Sequence, residues 1–303
     1  MGDRVVVVGD ALIDELRDDN GVREFVGGAA LNVAVGLQRL GVAATLIAMV
    51  GDDEAGEHIR RYLADHGVEL LATPSSRGSS RAVSTRSGAG EPTYEFNDAA
   101  WNRGIRFGDA ERAAMTDAAM VAVSCYPFDD DRQTEELADA LGGTRVAIDP
   151  NPRTGMLHDR ARFVAGFEKL VSGAALVKVG DDDARLLYDA DLDVLRARLI
   201  DLGAEAVLAT AGSSGATLEA DRHEVTRPIS SLPGRVIDTM GAGDAAFATV
   251  IAAMAADPPA DADAWEAVLT RSMDVAAATC RFEGALLRQP SALASLDLDA
   301  IGT

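Results

Sequence analysis

The segment DTMGAGDAAF, residues 238–247, places two glycines and a carboxylate directly before a run of small apolar residues. Gly241 and Gly243 permit backbone conformations that other residues resist, and Ala242 between them adds little bulk. Backbone N–H groups at the start of a helix can therefore point into one concavity, where the helix dipole also favours an anion. Asp244 would repel that anion unless it contacts a different group, such as a hydroxyl that attacks phosphorus. The segment predicts phosphoryl transfer to an alcohol, with Asp244 as the base beside an anion hole.

Two other interpretations of this segment stay open at this point. GAGDAA also fits the G-x-G-x-x-A pattern of dinucleotide-binding folds, but that pattern requires an acidic residue at a strand end about 20 positions later. The residue at the matching distance, Asp263, is predicted to lie in a surface loop over 257–265, DPPADADAW. The simplest alternative is an aspartate that caps a helix after a glycine turn.

Short apolar segments alternate with amphipathic segments along most of the chain, which predicts strands that alternate with helices. This alternation is typical of a doubly wound, mostly parallel sheet in an α/β fold, with helices on both faces. Strands are predicted at 4–10, 43–51, 120–124, 145–150, 174–180 and 204–210, and helices at 27–41, 52–67, 131–141, 192–203 and from about 245 to 256.

One segment departs from this alternation. Within residues 79–107, RAVSTR and TYEFN alternate in two-residue steps around a Gly/Pro-rich turn, which predicts a hairpin. The short VREFV before Gly27 can join them as another strand. We therefore expect a single domain over 1–303 with a small β-sheet lid, formed by about 22–27 and 79–107, that covers a site or clasps a second copy in a homodimer. The alternative is a surface hairpin without a function.

The charge balance excludes several classes of partner. The 303 residues include 49 acidic and 28 basic side chains, of which only two are lysines, and the formal net charge is −21. Such a negative field opposes binding to nucleic acid and docking on anionic membranes. It is a feature of halophilic proteins, although a GC-rich genome would also favour arginine over lysine.

Other features of the composition limit the class to which the protein can belong. Apolar residues make up 48% of the chain, so a large core can form. We find no apolar run of about 18 residues and no signal peptide at the N-terminus, so we expect a cytoplasmic protein. Cys125 and Cys280 lie far apart, and no Cys/His spacing is typical of a zinc site.

Several motifs resemble those of the ribokinase-like (PfkB) carbohydrate kinases. DTMGAGDAAF resembles the C-terminal signature of that family, and GGAALNVAVGLQRLG followed by VGDDEAG resembles its N-terminal signature. Further blocks occur in the family order, from about residue 4 to 290: VVGDALIDE, DPNPR, VKVGDDDARLL and LATAGSSGATL. GEPTYEF and CRFEGA are most similar to the fructokinase branch.

The resemblance implies a sugar site. Asp14 would accept hydrogen bonds from sugar hydroxyls, Gly27 and Gly28 would let the sugar approach the backbone, and Asn32 would offer a donor and an acceptor. A sugar needs such polar contacts, because an apolar pocket discriminates poorly between hydroxyls. The full set of implied substrate-binding residues is Asp14, Gly27, Gly28, Asn32, Asn151, Arg153 and Asp244, with the Arg153 guanidinium able to reach a phosphate.

The resemblance also implies a site for ATP and its cations. Lys178, Thr210, Gly212 and Gly215 would line the nucleotide together with Gly241 and Gly243. Many relatives carry an N-x-x-E motif for Mg²⁺; the matching residues here are Gly180 to Asp183, GDDD, so Asp183 would act through a metal-bound water. Asp238 and the backbone near Gly284 would hold a monovalent cation, K⁺.

The sequence therefore predicts an ATP-dependent sugar kinase, with fructose or a related ketose as the acceptor. The alternatives are a kinase for 2-keto-3-deoxygluconate or a nucleoside, and a non-catalytic regulator that binds a nucleotide or sugar with the same fold. Asp244 and both glycines of its motif are intact, which argues against the loss of catalysis.

Overall fold

The computed structural model describes residues 4–18, 21–85, 93–220 and 223–295. The strands in these ranges are β1 (Arg4–Gly9), β2 (Leu12–Asp18), β3 (Gly21–Gly27), β4 (Ala43–Gly51), β5 (Glu69–Ser75), β6 (Ser80–Thr85), β7 (Thr93–Phe96), β8 (Met120–Ser124), β9 (Val146–Asp149), β10 (Leu176–Gly180), β11 (Ala206–Thr210), β12 (Ala216–Ala220) and β13 (His223–Arg227).

The helices alternate with the strands of the main sheet. They are α1 (Ala29–Arg39), α2 (Glu54–Asp65), α3 (Asp98–Trp101), α4 (Asp109–Asp117), α5 (Asp131–Leu141), α6 (Arg160–Val171), α7 (Asp181–Asp183), α8 (Leu192–Asp201), α9 (Ala242–Ala256) and α10 (Ala262–Thr279). None of the helices in the described ranges is long and apolar enough to cross a lipid bilayer.

The main sheet has the order β13-β12-β11-β10-β9-β8-β1-β4-β5 over the described residues. The strands from β11 to β5 are parallel, and β12 and β13 add an antiparallel hairpin at one edge. The predicted α/β fold class is confirmed. The strands β5, β12 and β13 were not predicted, because their apolar runs are short and interrupted by polar residues.

Apolar side chains cover both faces of the main sheet. In β1, Val5 and Val7 pack on one face with α1, α2, α9 and α10, whereas Val6 and Val8 pack on the other face with α4, α5, α6 and α8. All four valines are fully buried, as expected for a central parallel strand. Helix α9 is apolar around nearly its whole circumference, because it is enclosed between α1 and α10.

The small sheet has the order β3-β2-β6-β7. Strands β6 and β7 form the predicted antiparallel hairpin, whereas the Gly/Pro-rich turn predicted between them lies outside the described residues. We did not predict β2, which pairs with both β3 and β6; Asp14 therefore lies within a strand of this sheet and not in a turn after β1. The sheet ends at Phe96, and the next residues form the short helix α3.

One loop prediction was too long. Helix α10 begins at Ala262, where the side chain of Asp261 accepts a hydrogen bond from the Ala264 N–H at 2.8 Å. Asp263 therefore lies in the first turn of α10 and not in the predicted surface loop. The dinucleotide interpretation still lacks its acidic residue at a strand end, because Asp263 is helical.

Candidate active site

The parallel strands end at one edge of the main sheet, so the residues that follow them converge there. Asp10 follows β1, Cys125 follows β8, and Asn151 follows β9 closely. The N-terminal ends of α1 and α9 face the same edge and carry the two glycine-rich motifs. In an open α/β sheet, ligands bind in the crevice at this edge.

The first turn of α9 has the backbone that an anion hole requires. Gly241 caps the helix with a φ of 75°, and a Cβ atom there would lie 2.6 Å from the Ala285 carbonyl oxygen. A Cβ atom at Gly243 would lie 3.3 Å from the Lys178 Nζ atom. The Ala242 N–H donates to the Thr239 carbonyl at 3.3 Å. The next N–H groups of a first turn have no acceptor within the helix, so they can bind an anion.

Asp244 is buried at the third position of α9, with 8% of its surface exposed. The Asn32 side-chain amide donates a hydrogen bond to the Asp244 Oδ2 atom at 2.8 Å. Burial raises the pKa of Asp244, although Asn32 and the positive charges of Lys178 and Arg153 oppose the rise. The carboxylate is thus both oriented and made more basic, as a general base requires.

This contact gives Asn32 a role that the sequence did not indicate. We predicted that Asn32 binds a sugar hydroxyl, whereas in the structure its amide nitrogen orients the proposed base. Residues 32 and 244 are 212 positions apart, so no local spacing could relate them. A sugar contact through the amide oxygen stays a prediction.

Asp10 is a buried residue of the site that sequence reasoning missed. Its Oδ1 atom accepts a hydrogen bond from the Ala30 N–H at 2.9 Å, and its carbonyl oxygen accepts one from the Leu31 N–H at 3.2 Å. A Cβ atom at Gly28, where φ is 109°, would lie 2.8 Å from that carbonyl oxygen. Asp10 and Gly28 therefore hold the start of α1 against the end of β1.

Asp14 lies beside Gly27 across the β2–β3 pair. A Cβ atom at Gly27 would lie 2.2 Å from the Asp14 Oδ2 atom, so only glycine leaves space for this carboxylate. Burial, followed by the negative charge of Asp10, raises the pKa of Asp14 to about 7, and Arg153 opposes the rise. The two predicted sugar contacts are thus adjacent in the structure.

A buried ion pair lies next to the first turn of α9, where the anion hole is predicted. The Lys178 Nζ atom is 3.1 and 3.2 Å from the two Asp149 carboxylate oxygens, and the side chains are 9% and 0% exposed. Burial raises the pKa of Asp149 to about 6, although Lys178 opposes the rise. Burial lowers the pKa of Lys178, but the charges of Asp149, Asp183 and Asp244 raise it overall. Lys178 therefore keeps its positive charge beside this turn. Asp149 was not predicted, because a carboxylate at a strand end has no distinctive spacing.

Asp183 caps the helical turn after β10. Its Oδ2 atom accepts a hydrogen bond from the Gly180 N–H at 2.7 Å, and the side chain is buried. Burial raises the pKa of Asp183 to about 6; Lys178 opposes the rise and Asp149 adds to it. The GDDD segment therefore places a carboxylate near Lys178, although the asparagine and glutamate of N-x-x-E are both absent.

Arg153 and Asn151 follow β9 at the same edge. Desolvation lowers the pKa of Arg153, but the neighbouring acidic groups Cys125, Asp244 and Asp10 raise it overall. Asn151 is buried with a φ of 38°, a left-handed conformation that asparagine tolerates better than most residues. Arg153 thus lies close to the buried acids, and the contacts of both residues with a sugar stay predictions.

Three of the predicted nucleotide residues, Thr210, Gly212 and Gly215, lie at the end of β11 and in the turn to β12. The Thr210 hydroxyl donates to the Val179 carbonyl at 3.3 Å. Gly212 and Gly215 have φ values of 50° and 100°, and a Cβ atom at Gly215 would lie 2.1 Å from the Arg227 carbonyl oxygen. The left-handed backbone conformation at both positions favours glycine. Their role toward a nucleotide stays a prediction.

The Asp238 carboxylate accepts two backbone hydrogen bonds that stabilise the segment before α9. Its Oδ1 atom accepts a hydrogen bond from the Met240 N–H at 3.0 Å, and its Oδ2 atom accepts one from the Gly284 N–H at 3.1 Å. The structure thus brings together Asp238 and Gly284, the two elements of the predicted cation site. Four apolar side chains of this region are largely exposed: Ile229, Val236, Ile237 and Met240.

The small sheet is docked on the edge of the main sheet through Phe96. This side chain packs on Ala29, Cys125 and Met156, and a Cβ atom at Gly155 would lie 2.3 Å from its ring. The Trp101 ring contacts the His158 ring in a tilted arrangement, with ring centroids 4.1 Å apart. The small sheet, whose strands β2 and β3 carry Asp14 and Gly27, is therefore held against the end of β8 and the start of α1.

The doubly wound sheet, the docked small sheet and the buried carboxylate at a glycine-formed helix start together define a class of phosphotransferases that act on alcohols. The chain belongs to the pfkB family of carbohydrate kinases, whose profile matches residues 3–292. The predicted family and enzyme class are confirmed: the protein is an ATP-dependent carbohydrate kinase.

Curated relatives and solved structures agree with this assignment. The chain is 28% identical to a fructokinase of Rhizobium leguminosarum bv. trifolii, covering 84% of this chain and 80% of the relative, and 29% identical to a fructokinase of Salmonella typhimurium, covering 96% and 97%. The fold is shared with an ATP-bound fructokinase from Xylella fastidiosa, with a TM-score of 0.81 at 22% identity and 99% of each chain covered. It is also shared with aminoimidazole riboside kinase from Salmonella enterica, with a TM-score of 0.76 at 24% identity, covering 96% of this chain and 99% of that one.

Proposed function

We propose that this carbohydrate kinase transfers the γ-phosphate of ATP to a hydroxyl of a free sugar, with fructose or a related ketose as its main acceptor. The observation that carries the proposal is the buried Asp244 carboxylate, held by Asn32 at the start of α9 and next to the positive charge of Lys178. The sequence identity to fructokinases, which extends over most of the chain, supports a ketose as the acceptor.

The charges of the site support an unphosphorylated acceptor. Asp10, Asp14 and Asp244 lie close enough for Asp10 and Asp244 to raise the pKa of Asp14. A phosphate on the acceptor would be repelled by these carboxylates, whereas neutral hydroxyls can donate hydrogen bonds to them. Arg153 offsets only part of this negative charge.

Each of the residues at this edge of the sheet has its own role in the proposed phosphoryl transfer. Asp244 accepts the proton of the attacking hydroxyl as the oxygen–phosphorus bond forms. The first-turn N–H groups of α9 and the Lys178 ammonium stabilise the negative charge that develops on the phosphoryl oxygens. Asn32 keeps the carboxylate oriented, and the docked small sheet excludes water that would otherwise attack ATP.

Single carboxylates of the chain could contribute to a Mg²⁺ site, but they do not form a complete set of protein ligands. Among the described residues, no three His, Cys, Asp or Glu side chains are grouped to bind a metal ion. This fits Mg²⁺, which in phosphotransferases is held mainly by one or two carboxylates, waters and substrate phosphates. Asp183 would hold it through water, and the bound ion would neutralise phosphate charge. Asp238 and the backbone near Gly284 would hold K⁺.

The exposed side chains before α9 support the proposed place of the nucleotide. Val236, Ile237 and Met240 lie next to the anion hole in sequence, and Ile229 follows β13 at the same edge. An adenine ring would cover such apolar surface, which would otherwise be exposed to water. Thr210, Gly212 and Gly215 would then contact the ribose and phosphates.

The test of the acceptor is ADP production with a panel of sugars. We expect the highest kcat/KM with fructose, lower values with other free hexoses and 2-keto-3-deoxygluconate, and background values with fructose 1-phosphate and fructose 6-phosphate. Aminoimidazole riboside belongs in the panel, because a kinase for it shares this fold. The Asp244→Asn protein supplies the background rate. A preference for a sugar phosphate over fructose would contradict the proposal.

We further propose that the acidic composition suits a salt-rich cytoplasm. At a net charge of −21, repulsion between surface carboxylates opposes folding in dilute buffer. Salt screens this repulsion, because the Debye length falls from about 10 Å at 0.1 M to about 3 Å at 1 M. We expect thermal scans to show a substantially higher Tm at about 2 M KCl than at about 0.1 M. An unchanged Tm would contradict this explanation of the acidic composition.

We propose that the small sheet acts as the lid of the sugar site. Its strands β2 and β3 carry Asp14 and Gly27, so a sugar bound to the body would touch the sheet directly. The outer strands β3 and β7 each leave one edge without a partner strand within the described residues. Such an edge can pair with another chain, so the same sheet would clasp a second copy in a homodimer.

A further inference from the structure

A cleft of about 480 Å³ opens at the carboxyl ends of β4 and β5, beside the candidate active site. Its apolar wall is formed by Met49, Pro74 and Ile105, and its charged rim is formed by Arg77, Arg106 and Arg132. Among the described residues that line it, none carries a carboxylate. Three arginines thus line one cleft in a protein with a net charge of −21.

We propose that this arginine cleft binds the phosphate group of a small phosphorylated metabolite. A guanidinium offers a planar fork of donors that matches phosphate, and two or three of them can surround a single phosphate group. The volume lies within the range of small-molecule sites, and the apolar wall can cover the carbon skeleton of the same molecule. The cleft is separate from the proposed ATP site, which lies around α9 and the β11–β12 turn.

The arginines are available to a phosphate. Arg106 forms no ion pair with any described residue. Arg77 contacts Asp98 at 3.0 Å and Arg132 contacts Glu136 at 3.3 Å, but each of these four side chains is more than a third exposed. Exposed ion pairs contribute little to stability, so a phosphate dianion can compete for both guanidinium groups.

The floor of the cleft is already fixed. The buried Gln133 side chain accepts a hydrogen bond from the Ile105 N–H at 2.6 Å and donates one to the Ile105 carbonyl at 3.1 Å. The Arg106 N–H donates to the Thr73 hydroxyl at 3.0 Å. Because this backbone does not have to be ordered on binding, little conformational entropy is lost there.

The same segment extends to the sugar site. Arg103, three residues before Arg106, donates to the Met156 carbonyl at 3.1 Å, and its charge opposes the rise in the pKa of Asp10. An anion bound to Arg106 would therefore contact the segment 103–106, and the other end of this segment, Arg103, lies near the buried Asp10.

Isothermal titration calorimetry at low salt tests the cleft with three probes: glucose 6-phosphate, inorganic phosphate and glucose. We titrate them in the presence of a saturating non-hydrolysable ATP analogue, so that the nucleotide site is filled. We expect millimolar or tighter binding of glucose 6-phosphate and weaker binding of inorganic phosphate, whereas glucose should bind only at the sugar site and equally well in the arginine double variant. The double variant Arg106→Ala/Arg132→Ala should weaken glucose 6-phosphate binding by roughly tenfold or more, because two charge-assisted contacts are lost.

The matched control is Arg61→Ala. Arg61 lies on helix α2, is exposed, and forms an i,i+4 ion pair with Glu57 as Arg132 does with Glu136. This control should bind glucose 6-phosphate as the unchanged protein does. The proposal is overturned if glucose 6-phosphate does not bind, if the double variant weakens glucose binding as much as glucose 6-phosphate binding, if inorganic phosphate binds as tightly as glucose 6-phosphate, or if the double variant and the control bind glucose 6-phosphate alike.

Discussion

Replacing Asp244 by asparagine is expected to lower kcat by roughly 10²- to 10⁴-fold, the usual effect of losing a general base. Asparagine keeps the size of the side chain and an oxygen that can accept the hydrogen bond from Asn32, but it cannot accept a proton. Sugar and ATP affinities should therefore stay within several-fold of the unchanged protein. Steady-state kinetics with fructose and MgATP, together with calorimetric affinities, separate the two effects.

The control for this prediction is Asp261→Asn at the start of α10. Asp261 caps that helix through the Ala264 N–H, and asparagine caps helices as well as aspartate does. The control should keep kcat unchanged. If Asp244→Asn also turned over at nearly the normal rate, Asp244 would be a residue that only stabilises the start of α9, and the proposed mechanism would be wrong.

The pH dependence gives a further check on the buried acids of the site, Asp244 among them. Burial raises the pKa of Asp244, so the carboxylate loses its proton at a higher pH than an ordinary aspartate does. A base must be unprotonated to act, so kcat/KM in the unchanged protein should fall as the pH drops through this raised pKa.

The sequence predicted the parts of the site that have a local pattern. Gly241, Gly243 and Asp244 follow each other in one segment, and their arrangement at the start of a helix is dictated by the backbone freedom of glycine. The parallel sheet was predictable for a similar reason, because its buried strands are short apolar runs between amphipathic helices.

The rest of the site depends on contacts between distant segments. The hydrogen bond from Asn32 to Asp244 and the ion pair of Lys178 with Asp149 form only when α1, α9, β9 and β10 meet at one edge. Strand β2 was missed because Asp14 and its neighbours are charged, and they form a strand only by pairing with β3 and β6. Asp10 gave no signal, since a carboxylate after a strand is common at turns.

The ion pair of Lys178 and Asp149 allows stability and catalysis to be separated. Lys178→Met keeps most of the side-chain volume but leaves the fully buried Asp149 without its cation. Breaking a buried pair in this way typically costs about 3–5 kcal/mol of the free energy of unfolding. The same change removes a positive charge beside Gly243, so kcat should also fall by roughly 10²- to 10³-fold, the usual effect of losing one group that stabilises a developing oxyanion.

The stability loss should depend on pH in a defined direction. The pKa of Asp149 is already raised in the folded protein, so this residue destabilises the fold once the pH is high enough to ionise it. Loss of Lys178 raises that pKa further. The free energy of unfolding of Lys178→Met, from urea titrations, should therefore be reduced more at about pH 8 than at about pH 5.

The double variant Lys178→Met/Asp149→Asn distinguishes the two roles of the lysine. With both charges removed, no buried charge lacks a partner, so much of the lost stability should return. The kcat should stay low, because the phosphoryl oxygens still lack the ammonium group. Lys169→Met is the matched control: Lys169 is the other lysine of the chain, is exposed, and is 3.9 Å from Glu135, so neither stability nor kcat should change much. If kcat returned together with stability in the double variant, Lys178 would serve only to neutralise Asp149, and the anion hole would act through the first turn of α9 alone.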